Sequence, residues 1–321
     1  MESMMAIPVL ADRMRDRVRA LYGFSRGTQA SLSVAQPLIG ALIAVPNPPL
    51  DRLGVALVAA FAGYFALFAV NDLLDHRLDR KRFAHLRSYE GFDIDSTGVR
   101  HPLAQGRLSY PGAVAWVVTL GGLALVLAAW LHWLCAVLFV VAALLQVVYC
   151  ALATVTPHKF WLTGACVGLA ACAGWFALAP VTAGGGGVDW VRLPLFFCWM
   201  AAWEIGGRNL VNDWADVEED VHLGVRTVPV VYGHRVTARL VLAFLLITFV
   251  CGVALMVAGW SSFRAIGVVG TVLAGCWALL VPGLALYRDP RPETALAVFN
   301  RASLYPVLVL VVILLAMARP E

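Results

Sequence analysis

Nine stretches of about twenty mostly apolar residues run through the chain, at about 28–47, 53–73, 112–132, 134–154, 161–181, 191–213, 236–259, 263–282 and 299–318. About twenty such residues are what a helix needs to cross a bilayer. Inside hydrocarbon no water can satisfy a backbone N–H or C=O, so each span must close its hydrogen bonds on itself. Composition agrees with this. Of the 321 residues, 61% are hydrophobic and 14% charged, against about 25% charged in a soluble domain. The sequence therefore predicts an all-α membrane protein with nine transmembrane helices. Nucleic-acid binding is not expected despite the net charge of +4. Seven Cys, at 135, 150, 166, 172, 198, 251 and 276, all fall in apolar segments and none forms a C-x-x-C pair. They read as small core residues rather than a disulfide framework or a zinc site.

The links between spans are short, such as PNPPLDR (46–52), GGGGVD (184–189) and YRDPRPE (287–293), and the one long link is 74–111. Charge tests the span count. If the N-terminus lies on one side, the links after spans 2, 4, 6 and 8 share that side. Of 24 Lys and Arg, only Arg52, Arg192, Arg264 and Arg319 then fall opposite. By the positive-inside rule the N-terminal side is cytoplasmic. Residues 12–19 hold two acids and four Arg, and the segment lacks a signal-type apolar region followed by a cleavage site. The expected organisation is an interfacial amphipathic segment over 1–27 and a single transmembrane domain over 28–321.

Two of the expected helix ends carry the same pattern, N-D-x-x-D-x-x-x-D. It reads NDLLDHRLD at 71–79 and NDWADVEED at 212–220. Residues four apart share a helix face. Asn71, Asp75 and Asp79 therefore form one row and Asn212, Asp216 and Asp220 a second, flanked by Asp72 and Asp213. Stacked carboxylates repel unless a cation lies between them. Mg²⁺ takes oxygen ligands and binds through a few carboxylates plus substrate phosphates. Two such rows face to face could hold two Mg²⁺ and, through them, a diphosphate. The D-x-[DN]-x-[DN]-G pattern of a calcium loop is absent.

With these motifs, the chain resembles the UbiA superfamily of intramembrane prenyltransferases. The resemblance covers nearly the whole chain. It rests on the nine spans, on NDLLDHRLD, on RHPLAQGRLS (100–109), and on the second motif running on as NDWADVEEDVHLGVRTVPVVYG. It implies a ring of nine helices around a central cavity, with the two motifs facing each other at the cytoplasmic mouth. It also implies Mg²⁺-dependent ionisation of a polyprenyl diphosphate and alkylation of an aromatic or quinone-precursor acceptor within the bilayer. Carried over by position, Asn71, Asp75, Asp216 and Asp220 would be metal ligands, with Asp72, Asp79 and Asp213 in support. Where family members often have Arg before Pro-Leu, this chain has His101, preceded by Arg100. The stretch from Asp79 to His101 is about a dozen residues longer than usual, and it reads equally as a lid or a solvated loop.

Physical chemistry runs in the same direction. Diphosphate leaves only when its developing charge is neutralised. The chain has two lysines, Lys81 and Lys159. Lys159 is the strongest candidate for the diphosphate, with Arg26, Arg100, Arg208 and Arg226 as further contacts. An allylic cation needs an electron-rich chamber, for which Tyr64, Phe65, Phe68, Tyr149, Trp199 and Trp203 lie near the right helix ends. Glu204 lies within span 6, about 12 Å deeper than Asn212 at 1.5 Å per residue. It is either an ion-pair partner of Arg208 or the base that takes the final proton. A terpene cyclase on the same scaffold would use the same metal and diphosphate groups without an acceptor. A transporter or channel would need polar residues deep in several spans, and the sequence has few.

Overall fold

In the computed structural model, residues 14–74, 76, 101–178 and 188–318 are described, and among them there is no strand. The chain opens with α1 (14–24), α2 (Gly27–Ser33) and α3 (Ala35–Ala44). Then come α4 (Leu50–Leu74), α5 (Tyr110–Leu131), α6 (Trp133–Ala151) and α7 (Phe160–Leu178), the last led in by a 3-10 turn at Pro157–Lys159. A long rod follows, made of α8 (Arg192–Trp203), a π-helical segment (Glu204–Asn209) and α9 (Leu210–Ala215). Next are α10 (Val217–Leu223), α11 (Val228–Ala258), α12 (Trp260–Gly275), a second π segment (Cys276–Leu280), α13 (Val281–Arg288) and α14 (Pro292–Met317).

Local chemistry sets these boundaries. Ser109 caps α5 by accepting from Gly112 N, with Pro111 in the first turn where its missing N–H costs nothing. His132 is fully extended and separates α5 from α6. Its Nδ1 accepts from Leu134 N at 3.2 Å. Asp189 caps α8 by accepting from Arg192 N at 2.7 Å, and that bond, with the Arg192 guanidinium beside it, holds its carboxyl below the ordinary range. Gly233 adopts φ 77°, a conformation that favours glycine, and sets the kink inside α11.

Seven of the helical stretches are long and apolar enough to cross a membrane: Leu50–Leu74, Tyr110–Leu131, Trp133–Ala151, Pro157–Leu178, Val228–Ala258, Trp260–Arg288 and Pro292–Met317. The spans expected at 28–47 and 191–213 fall instead on interrupted segments. Pro37 has no N–H to give to residue 33, and its ring crowds that carbonyl. The helix accordingly breaks at Val34, between α2 and α3. In the second case Gly206 and Gly207 sit inside the π segment. Glycine pairs and π turns are common causes of helix deformation.

The helices pack with α7 at the centre. Within its most apolar window Pro157–Leu178 is 61% buried, against 17% for α5 and for α6, which face outward. α7 packs on α3, α6 and α8, while α4 packs on α5, α8 on α11, α12 on α14, and α14 back on α3. Trp175, Trp199, Trp203 and Trp214 are fully buried among these contacts. Truncating a buried Trp to Ala costs about 3–5 kcal/mol.

Candidate active site

Two cavities lie inside the bundle and meet at Tyr64 and Leu67, which line both. One is polar, about 1260 Å³ with its open mouth included. The other is apolar, about 770 Å³, and is walled largely by alanines of α3 to α7. Arg52, at the start of α4, donates to Leu131 O at 2.7 Å and to Ala177 O at 3.0 Å. Those carbonyls lie at the C-terminal ends of α5 and α7, where a cation meets orphan acceptors and the negative end of the dipole. Leu131 and Ala177 also line the apolar cavity, so Arg52 closes its far end.

The polar cavity gathers residues from both motifs. Asn71 lies on its wall with Asn212, Asp213, Asp216 and Asp220, although 141 residues separate the two Asn in sequence. Lys159, Glu204, Arg208 and Arg26 line the same space. Asn212 Nδ2 donates to Asp216 Oδ2 at 3.4 Å, and Thr227 Oγ1 to Asp220 Oδ2 at 3.2 Å. Lys159 is 5% exposed, and its Nζ lies 5.0 Å from the centre of the Tyr149 ring. Tyr149 OH in turn accepts from Asn209 Nδ2 at 2.9 Å. Of the aromatics expected here, Tyr64, Phe68 and Tyr149 reach the cavity, whereas Trp199 and Trp203 are core residues.

Asp72 stands apart from this wall. It is 4% exposed and turned toward Arg26 Nη2 at 3.4 Å and His101 Nδ1 at 3.8 Å. Both partners have left-handed backbones, φ 43° at Arg26 and 49° at His101. That conformation is uncommon outside glycine and marks a local constraint. The side chain of Asp72 thus holds the α1–α2 junction and the segment after residue 100 beside α4. Arg226 is exposed and joins the fold through its backbone N, which donates to Ala153 O at 2.8 Å. Asp75, Asp79 and Arg100 lie outside the described residues, as do Lys81 and the rest of 77–100.

Glu204 and Arg208 do not form an ion pair within 4.0 Å. The π segment between them changes the angular step that would stack residues four apart on an α-helix. The Arg208 charge still acts on the Glu204 carboxylate, and Thr163 lines the same wall. Arg208 lies against three rings, with its guanidinium carbon 5.8 Å from Phe68, 5.5 Å from Trp203 and 5.5 Å from Phe299.

Sequence reasoning missed Gln146, Cys150 and Thr163. Gln146 Nε2 donates to Asn71 Oδ1 at 2.9 Å, and Cys150 Sγ–H to the same oxygen at 2.8 Å. The signal for Gln146 was an amide inside an otherwise apolar span, since polar side chains there usually face a bundle interior. Among the described residues no three His, Cys, Asp or Glu side chains form a metal-sized cluster. Asn212, Asp216 and Asp220 on the cavity wall offer oxygen, as does Asn71 once Cys150 Sγ–H releases its Oδ1, and oxygen suits a hard cation such as Mg²⁺ rather than a soft metal.

Comparison with known proteins places this arrangement. The model of the UbiA prenyltransferase family matches residues 33–318. A protoheme IX farnesyltransferase of Nitrosomonas eutropha is 29% identical over 182 residues, covering 53% of this chain and 54% of that protein. One from Nitrosomonas europaea is 30% identical over 173 residues, covering 50% and 51%. The chain thus spans about half the length of the curated relatives it matches. Among solved structures, a UbiA homologue from Aeropyrum pernix superposes with TM-score 0.70 at 19% identity, covering 91% of this chain and 98% of the other. A UbiA homologue from Archaeoglobus fulgidus bound to GPP and Mg²⁺ gives 0.65 at 17%, covering 94% and 100%. The chain belongs to the UbiA prenyltransferase family.

Proposed function

We propose that this protein transfers the prenyl group of a polyprenyl diphosphate to an aromatic or quinone-precursor acceptor inside the membrane, with two Mg²⁺ ions at the cavity mouth. One observation carries the reading: a polar cavity lined by residues of both acidic motifs and by Lys159 adjoins an apolar chamber, with Tyr64 and Leu67 on the wall of both. An amphiphile with a charged head and a long hydrocarbon tail fits that pair of spaces. The Mg²⁺ and GPP bound to the Archaeoglobus fulgidus homologue, and the farnesyltransferase name of the curated relatives, support it. So does the charge asymmetry of the sequence, which favours an odd number of spans, nine in this reading, with the N-terminus and both motifs cytoplasmic.

In this reading Asn71, Asp75, Asp216 and Asp220 hold the Mg²⁺ ions, with Asp79, Asn212 and Asp213 in support. When bound, the ions neutralise charge on the diphosphate. Lys159 and Arg26 contact its oxygens, with Arg100 and Arg226 reaching it from the rim, and Asp72 positions Arg26. The C1–O bond of the prenyl diphosphate breaks and its electron pair leaves with the diphosphate. Phe68, Tyr64 and Tyr149 present π faces to the allylic cation, worth about 2 kcal/mol or more each when desolvated. The acceptor's π electrons form the new C–C bond, and Glu204 takes the proton that the acceptor then loses.

The test is incubation of the purified full chain with Mg²⁺ and C10, C15 or C20 diphosphates, with and without an aromatic acceptor. The expected result is alkylated product and pyrophosphate only when the acceptor is present. A cyclic hydrocarbon or alcohol formed without acceptor would replace this reading with a cyclase. No pyrophosphate under any condition would reject both.

A further inference from the structure

We propose that Arg301, with the ring of Trp277 against it, binds the phosphate of a membrane phospholipid on the outer wall of the bundle. Neither residue lines either of the two cavities. Arg301 stands on α14 and Trp277 in the second π segment, and both belong to helical stretches of membrane length. An ionisable residue inside a span usually faces the bundle interior or a charged partner. Arg301 does neither. It is half-buried, at the flank of the face that α14 buries through Val298, Ala302 and Tyr305. Its guanidinium carbon lies 5.5 Å from the centre of the Trp277 ring. Among the described residues its side chain makes no hydrogen bond and no ion pair within 4.0 Å. The ring face attracts the charge but leaves the in-plane N–H groups without an acceptor. A planar fork of such donors matches the paired oxygens of a phosphate.

Position points to a lipid rather than to a free anion. Arg301 and Val312 are about three turns apart and share a face of α14. Val312 packs where Gly270 of α12 leaves room for it, since a Cβ on Gly270 would lie 2.6 Å away. Trp277 follows Gly270 by about two turns, so Trp277 and Arg301 continue the α12–α14 seam toward the link at 287–293. Phe299 lines the polar cavity from the inner side of α14, so this is the end of the bundle at which the motifs lie. Arg301 is about 3 Å inside the apolar stretch at 299–318, at 1.5 Å per residue. A long helical side chain leans toward the N-terminus of its helix, which here is the headgroup side. Deeper in the bilayer the seam is apolar, with Val269 and Leu273 exposed on α12 and Leu304 and Leu308 half-buried on α14. That track suits an acyl chain. The charges at the headgroup edge are Arg288, Asp289, Arg291 and Glu293. Both acids act on Arg291, while Arg288 is exposed at the end of α13 and adds positive charge. Positive charge at this depth favours an anionic headgroup.

The test is thermal stabilisation of the detergent-solubilised full chain by dioleoyl phosphatidylglycerol, by dioleoylglycerol (the same tails without phosphate) and by glycerol phosphate (the headgroup without tails). Only the phosphatidylglycerol should raise the melting temperature of the wild-type protein. In Arg301→Gln the concentration that gives half of that rise should increase about tenfold or more, as expected for loss of a charge-assisted contact. Trp277→Leu should increase it by a smaller factor. Arg264→Gln removes an exposed arginine at the opposite end of α12 and should leave it unchanged. Arg301→Lys keeps the charge but loses the fork and should fall between, and it supplies the comparison if the Gln variant folds poorly. Equal stabilisation by dioleoylglycerol would overturn the proposal, because tails alone would then suffice. Equal stabilisation by glycerol phosphate would make this a site for a free anion and overturn the lipid assignment. No response to phosphatidylglycerol, or a response unchanged in both Arg301 variants, would overturn it as well.

Discussion

Gln146 of α6 holds Asn71 of α4 by the amide oxygen, Nε2 to Oδ1, at 2.9 Å, and Cys150 reaches the same oxygen from one turn further along α6. This turns the leading residue of the first motif into a fixed group rather than a free rotor. Outer partners of metal-site residues commonly contribute 10–100-fold to metal affinity or activity. Gln146→Leu should therefore raise the Mg²⁺ concentration needed for half-maximal activity by about 10-fold or more. Mn²⁺ binding followed by electron paramagnetic resonance should weaken in parallel, with the melting temperature little changed. An unaltered Mg²⁺ dependence would show that Asn71 needs no such support.

Asp216→Ala should abolish turnover without unfolding the protein. Asp216 lies between α9 and α10 on the cavity wall, half-buried, rather than in the packed core. Activity should likewise vanish in EDTA and return with added Mg²⁺. Full turnover in chelator would remove the metal from the proposal altogether.

Lys159→Ala and Arg52→Ala should fail in different ways. Lys159 faces the polar cavity, so its loss should raise the KM for the prenyl diphosphate. Arg52 is about 28 Å from Asn71 along α4 and bridges the ends of α5 and α7. Hydrogen bonds from a charged donor contribute about 1.5–3 kcal/mol. Arg52→Ala should lower the melting temperature and leave that KM unchanged. Parallel kinetics and melts on both variants check this, and matching KM changes would refute the assignment.

Much of this architecture was legible in the sequence, because continuous apolar runs have no soluble alternative. Seven of them became membrane-length helices. The break at Val34 was signalled by Pro37, whose effect on residue 33 is a local steric fact. The π segment at Glu204–Asn209 was not legible, since two glycines permit it but only the packing of Gly206 against α11 and of Gly207 against α14 selects it. The meeting of Asn71 with the second motif was expected from the family resemblance that the repeated pattern carries. The turning of Asp72 toward Arg26 and His101 did not, because it depends on two left-handed backbones that no side-chain pattern announces.

Ala59 and Ala128 line the apolar chamber, and a larger side chain at either position should shorten the tail that fits. Overpacking costs about 1–3 kcal/mol of stability, which the melting curve will report. The sharper readout is selectivity. A single methylene in a hydrophobic pocket is worth about 1–3 kcal/mol, and an isoprene unit is larger. For Ala128→Phe the ratio of kcat/KM for C20 over C10 diphosphate should fall by roughly tenfold or more. If the ratio does not move, the tail lies elsewhere.

Glu204→Gln separates two roles for an acid in the middle of a span. Had Glu204 been paired with Arg208, its neutralisation would leave a buried charge without its partner, at about 3–5 kcal/mol. The structure has no such contact within 4.0 Å, although the Arg208 charge acts on the carboxylate from the same cavity wall. A glutamine keeps the shape and hydrogen-bonding capacity of the side chain, so the stability loss should stay below that of a broken contact pair. What the variant lacks is a base. It should still break the C1–O bond and release pyrophosphate, while yielding less alkylated product and more prenyl alcohol from water capture. Pyrophosphate release, product distribution and melting temperature measured on one preparation distinguish the cases. A normal product ratio in a destabilised protein would return Glu204 to a structural role.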